Sequence, residues 1–344
     1  MKQTLILFSF LFAVNHELEA QKFDNPVEYM QHIQTQQNKI SKDTWSYISA
    51  VAHSKSAKKI ESKRKEVIKT TKDAIAVLKK LGGYGEDKGY RDTVLAYLEL
   101  SYLVITEDYE KIVNLEEVAE QSYDAMEAYL LAQEIAGKKL RGAGDRVSTE
   151  EARFAKDHNI ELVDSKDGLA KKMEKADEVL EYYNKVYLIF FKSYKQEAYM
   201  ADAQARNDAN SLEQNKNTLN DFAKDGLKKM KEIGNYINDP SLSNATKDLL
   251  EFYVFESGDD SKILTDYIVK KENFDKIKAA FEAKKEKDRV QADYDQINAA
   301  GQEFNKTVND FNKKNEELFK KRKDLIDRWN KTAQSFLDKH VPQK

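Results

Sequence analysis

The chain is predicted to be all-α on three observations. It has 12 glycines and 3 prolines in 344 residues, 34% of its side chains are charged, and apolar residues recur at helical spacing through most of its length. Sheet proteins spend Gly and Pro on their many turns, so their scarcity excludes a β architecture. The expected form is an elongated antiparallel helical bundle, coiled-coil-like in its charge pattern and made of two related halves. In such a form, long helices bury their apolar stripes against one another at shallow angles.

The elements follow in order. "DNP" places Asn25 as a cap with Pro26 at the first helical position. From there Met30, Ile33, Ile40, Ile48, Val51, Ile60, Val67, Ile75, Leu78 and Leu81 repeat at helical spacing, which predicts one long helix ended by "GGYGEDKG" (82 to 89). A second helix covers about Tyr90 to Ile105 and a third runs through Ile112 to about Leu140. "GAGD" is read as a break, and "STEE", Ser148 with Glu151, as a capping box opening a short helix. "NIELVDSKDG" is a loop, with room for a few extended residues. A long helix spans about Leu169 to Tyr236, interrupted near Asn207 to Ser211; Pro240 turns the chain into a short helix, Lys247 to Glu256. After "SGDD" one helical tract continues to about Leu337. The organisation expected is residues 1–20 as a leader, 21–145 as a first helical half, 146–168 as a connecting helix and loop, and 169–344 as a second helical half.

The halves resemble each other. Residues 108 to 134 set over 259 to 285 bring Asp108, Lys111, Ile112, Val118, Asp124, Ala128 and Ala132 onto identical residues. "LKKL" at 78 and "LKKM" at 227 each precede the long turn. An internal repeat is the expectation.

The N-terminus reads as a signal peptide: Lys2 is basic, Leu5 to Val14 is an apolar stretch too short to cross a bilayer, and Ala20 is a small residue suited to cleavage. The mature chain is thus expected to be secreted to the periplasm or cell surface, with no transmembrane segment. No cysteine occurs, which excludes disulfides, thiol catalysis and Cys-type zinc sites. A formal charge of −3 gives no pull toward nucleic acid.

The densest apolar stretch is "EYYNKVYLIFF" (181 to 191). Tyr183, Tyr187, Phe190, Phe191 and Tyr194 form one helical stripe, bounded by Lys185 and Lys192. It is read first as a core helix, and otherwise as the lining of a ligand groove through Tyr187 and Phe191. In "DTWSYISAVAHSKSA" (43 to 57), Trp45, Ser49, Ala52 and Ser56 share a face with His53 at its edge. That face is a close-packing seam, or else a recognition site carried by Trp45 and His53.

Catalytic patterns are missing. No H-x-x-x-H, H-E-x-x-H, Glu-x-x-His or Gly-x-Ser-x-Gly occurs, and Glu28 with His32 alone is too few ligands for a metal. The glycine cluster at 82 to 89 lacks the Lys-Ser/Thr of a phosphate loop. Basic tracts at 55 to 72 and 313 to 323 are diluted by glutamates and read as solvated faces. The apolar stripes are expected to be used up on one another, leaving no polar cluster in the interior. No catalytic residue, metal or cofactor is assigned.

"NPVEYM" (25 to 30), "DTWSYISAVAHSK" (43 to 55) and "AEQSYDAMEAYLLAQE" (119 to 134) resemble an exported bacterial surface-protein family with no assigned activity. The resemblance implies an all-helical envelope protein of a double-membraned bacterium and brings no catalytic residues with it. The expected function is accordingly non-enzymatic, a structural element or interaction protein whose helix faces bind an envelope protein or polymer. The alternative is a periplasmic carrier of a hydrophobic ligand in a cavity lined by the aromatic helix 181 to 194.

Overall fold

The computed structural model describes residues 23–54, 56–108, 121–162, 168–258 and 262–343. Among these are nine α-helices and no strand. They are α1 (Pro26–His53), α2 (Ala57–Lys80), α3 (Gly89–Leu103), α4 (Tyr123–Asp157), α5 (Gly168–Ala205), α6 (Ala209–Ile233), α7 (Ser241–Glu256), α8 (Lys262–Ala283) and α9 (Gln291–His340). The all-α class is therefore observed, and no described helix is long and apolar enough to cross a membrane.

Several boundaries differ from those the sequence suggests, each for a local reason. The first helix is two, because Ser54 Oγ accepts from Ser56 N (3.1 Å) and Ser56 Oγ from Lys59 N (3.3 Å), ending one helix and capping the next. Conversely, α4 runs straight through "GAGD". Ala136, Ala143 and Val147 keep a buried face there, which outweighs the roughly 1 kcal/mol that each helical glycine costs. The expected capping box at Ser148 does not form: Ser148 and Thr149 hydroxyls donate back to the carbonyls of Gly144 and Asp145, and Glu151 accepts from Gln34 (2.7 Å). The helix after Pro240 starts at Ser241, six residues before Lys247, since Asp239 Oδ1 caps Ser241 N at 2.9 Å. The final tract is split at 284–290 into a hairpin of α8 and α9. Residues 1–20, the expected leader, lie outside the described residues, as do 109–120 and 259–261, which carry part of the expected repeat, and 163–167 of the expected loop.

The chain forms two compact units: Met1–Thr44 with Arg64–Glu107 and Ala136–Ser165, and Trp45–Lys63 with Asp108–Ile135 and Lys166–Lys344. In the larger unit α5 and α6 are an antiparallel pair. Tyr182 OH donates to Gly234 O (2.9 Å) at one end, and Gln196 Nε2 to Asn215 Oδ1 (2.8 Å) toward the other. Asp208 caps α6 through Ser211 N, at the turn where Asn207 has φ 54°. α7 lies against α6, so close at Gly226 that an added Cβ would stand 3.1 Å from Ile189 and from Leu250. α9 returns antiparallel to α5 and α7: Phe190 stacks on Trp329 with centroids 4.0 Å apart, and Trp329 Nε1 donates to Thr246 Oγ1 (2.9 Å). Burying each large ring contributes on the order of 2 kcal/mol, the main stabilisation open to a chain without disulfides.

Beyond this core, α8 continues along α9 in the direction α7 set. Tyr267 stacks on Phe311 (4.1 Å), Phe274 on Phe304 (5.1 Å), and Phe281 meets Tyr294 edge-on (5.2 Å). The last buried residue of α8 is Ile268 and the first of α9 is Thr307. Everything between is a two-helix arm of roughly 20 Å, at 1.5 Å per residue, held by an aromatic seam and by the exposed ion pairs Lys270–Glu303 (2.9 Å) and Lys284–Asp293.

Each unit has a corner where its last helix meets a tight turn. In the larger unit, Tyr236 and Asp239 pair through their backbones. Asp239 also accepts from Lys339 (2.7 Å) and His340 (2.8 Å). Burial opposes charge on Asp239, but Lys339, Ser241 and His340 outweigh it and hold the carboxyl well below the usual range. The Tyr236 ring is edge-on to Phe336 and His340. In the smaller unit, Tyr84 and Asp87 pair likewise. Asp87 accepts from Arg153 (2.9 Å) and Gly89 N (2.9 Å) with His158 at 3.4 Å, and Tyr84 is edge-on to Phe154 and His158. Tyr29 OH donates to Gly82 O (3.0 Å), as Tyr182 does to Gly234 O.

The two corners differ at the residue after the tyrosine, Gly85 with φ 60° and Ile237 with φ 50°. A β-branched residue in the left-handed region is strained by about 1–2 kcal/mol, and Ile237 is 62% exposed, so its side chain returns little. Ile237→Gly is expected to raise the stability by about 1 kcal/mol, seen as a higher urea midpoint at unchanged slope.

Candidate functional site

The residues singled out from the sequence all fall in the larger unit. Trp45 is partly buried against its core beside Ile48, with Ala52 fully inside, so that face packs as a seam. His53 Nδ1 lies 2.9 Å from Asp338 Oδ1. Tyr187 is sandwiched between Tyr183 (5.9 Å) and Phe191 (5.6 Å) and also faces Trp329, while Phe191 is buried. Tyr187 and Phe191 thus belong to one aromatic stack, and the structure does not bring Trp45 and His53 to it as one site.

A cleft of about 260 Å³ opens beside the same helix, on a different face. Leu188, Ile189, Phe222 and Ile233 give it apolar walls, and Lys185, Lys192, Lys229, Asp225 and Glu232 its charges. Those charges are largely engaged within the protein. Lys185 pairs with Glu181 and Lys229 with Asp225, and Lys192 sits over the rings of Phe222 (4.3 Å) and Tyr123 (5.0 Å). Neither Tyr187 nor Phe191 lines it.

The unexpected feature is deeper. Glu256, fully buried at the end of α7, receives Arg322 of α9 through Nη2 and Oε1. Arg322 Nε also lies 3.0 Å from Glu197 Oε1 of α5, without the angle of a hydrogen bond. Among the described residues the buried Tyr253 hydroxyl and Glu256 Oε2 have no hydrogen-bond partner. Burial drives the Glu256 carboxyl up to about 7, against the pull of Arg322 and with the help of Glu197. Burial also raises Glu197, opposed by Arg322. The expectation of an interior free of polar clusters is therefore overturned: one guanidinium is shared by two carboxylates in the core.

Arg322 falls in the tract 313 to 323, whose charge pattern predicts a solvated face. The sign against this lies in the arginine's register. Leu318, Arg322, Leu325, Trp329, Ala333 and Phe336 form one stripe at helical spacing, and the arginine interrupts it. Glu256 likewise follows Leu249, Phe252 and Tyr253 on one face of α7. Among the described residues no group of three or more His, Asp or Glu is placed to hold a metal ion.

No family model matches the chain, and no curated protein or solved structure matches it. The described residues define a cysteine-free all-α protein with a guanidinium shared by two carboxylates in its interior. Removing the cation from that centre leaves two unpaired carboxylates, a change that costs about 3–5 kcal/mol in comparable cores. Arg322→Met is expected to lower the unfolding free energy by about that amount at pH 8, measured by denaturant titration.

Proposed function

We propose that the chain is a non-enzymatic exported protein of the envelope or cell surface that works by contact, with the α8–α9 arm as its contact element. The observation that carries this reading is the arm itself. Between residues 269 and 306 no side chain is buried, so the arm adds little to the stability of the unit that bears it. A helix pair without a buried side chain is marginal alone. It displays Val269, Val290 and Tyr294 to solvent, apolar surface of the kind that a partner covers. The basic start, apolar stretch and small residue at 1–20 support export, to the periplasm or outer surface. The partner is an envelope protein or polymer.

The alternative, a carrier for a hydrophobic ligand, draws on the cleft beside helix 181 to 194. At about 260 Å³ that cleft is smaller than the roughly 300–1,000 Å³ of ordinary small-molecule sites, and the aromatic rings meant to line it are stacked on one another. Lipid copurifying in native mass spectra would favour the carrier.

The match between the corners, Tyr29, Tyr84, Asp87, Phe154 and His158 against Tyr182, Tyr236, Asp239, Phe336 and His340, supports descent of the two units from one duplicated ancestor.

Photo-crosslinking amino acids placed at Val269, Val290 and Tyr294 in the producing cell are expected to trap one discrete envelope partner. The same label at Leu131 and Leu162, exposed elsewhere, should trap none. Equal labelling at all five positions would remove the arm from consideration. Cell fractionation and N-terminal sequencing check export, with a mature chain beginning at Gln21 as the expected outcome.

A further inference from the structure

The smaller unit shows that its corner and helix order do not need buried charge. As far beyond Tyr29 as Glu197 lies beyond Tyr182 stands Thr44; as far beyond Asp87 as Glu256 lies beyond Asp239 stands Val104. Counting back from His158 as far as Arg322 precedes His340 gives Leu140. Where the larger unit has two carboxylates and a guanidinium, the smaller one has a hydroxyl and two aliphatic side chains, with Val104 fully buried. A buried ion pair adds little to stability over apolar packing, because taking the charges out of water costs about what their attraction returns. Stability alone therefore does not account for the charged centre.

The centre is also unbalanced, with two carboxylates against one guanidinium, and it retains unpaired oxygens at Glu256 Oε2 and Tyr253 OH. A proton corrects both defects: it removes the surplus negative charge and turns an acceptor into a donor. Its location gives that proton a consequence. Glu256 is the last residue of α7, ahead of α8 and the arm; Arg322 is on α9, about four turns after the arm rejoins the core at Thr307; and Glu197 is on α5.

We propose that Glu197 and Glu256 form a proton-binding site in the core that carries the arm, where one bound proton keeps α7 and α9 locked to α5 and its release loosens that joint. The proton exchanges with bulk water. The groups around it are few. Arg322 faces the pair from α9, while Lys314 and Lys321 of that helix lie over the rings of Phe255 and Phe252 instead. α5 supplies Glu197 and, next to Tyr253, Tyr194. α6 supplies the uncharged Asn220, bonded to Ser257 and Val254 O, and the buried Lys216, whose ammonium goes to Glu213. Among the described residues no second cation reaches the two carboxylates.

The direction of the effect follows from the raised carboxyl. Folded, Glu256 holds its proton up to about 7; unfolded, it has the ordinary value of 4.5. The stabilisation is fully present below the unfolded value and is lost as pH rises through the folded one. This holds whatever the arm binds, so it stands or falls separately from the contact function.

The test uses the full chain. Carbon-detected NMR titration of the glutamate carboxyls is expected to show one group inflecting well above the rest. Amide exchange of 250–258 and 307–325, corrected for intrinsic rates, is expected to lose protection by up to tenfold per pH unit between about pH 4.5 and 7 and to level off above, while 182–190 stays level. Glu256→Gln, which mimics the protonated acid, should abolish the inflection and flatten the exchange profile at its low-pH level. Ordinary titration of every glutamate in the wild-type protein overturns the proposal, as does a Glu256→Gln variant that keeps the wild-type pH dependence. If that variant does not fold, the wild-type titration decides alone.

Discussion

The larger unit depends on one helix satisfying two sets of partners in register. Downstream, α9 turns Leu318, Leu325, Trp329 and Phe336 into the core; upstream, it turns Phe304 and Phe311 toward α8. The register is fixed where Trp329 stacks on Phe190 and donates to Thr246, since that contact joins α9 to α5 and α7 at once. With no cysteine, the chain has only buried area and such contacts to hold this alignment.

The class of fold was legible because it follows from composition and periodicity, which depend on the average of many residues. The boundaries depend on single competitions that composition does not weigh. Two serines stopped α1 by offering their hydroxyls to backbone N–H groups, although the apolar pattern ran on. The two glycines of GAGD failed to stop α4 because Ala143 and Val147 kept a packed face. Asn207 was visible as an interruption because its neighbours lacked any apolar repeat.

The charged centre was hidden for a different reason. Local charge density around Arg322, amid Lys320, Lys321 and Lys323, suggests a wet face, and only the register of the stripe contradicts it. Glu197 and Glu256 are ordinary residues of charged helices until the fold brings them to the same guanidinium. By contrast, the aromatic segment 181 to 191 was readable as core, since rings stacked at helical spacing leave little room for anything else. The corners show how a fold keeps a device while changing its parts. The cation opposite the aspartate comes from Arg153 in one unit and Lys339 in the other, at positions that do not correspond.

The turn at 284–290 joins two helices that are zipped together along their whole shared length, and nothing in it is buried. A protease cutting there would sever no α-helix and uncover no core. The two pieces should stay associated as a nicked complex, and the chain should reassemble when they are produced separately and mixed.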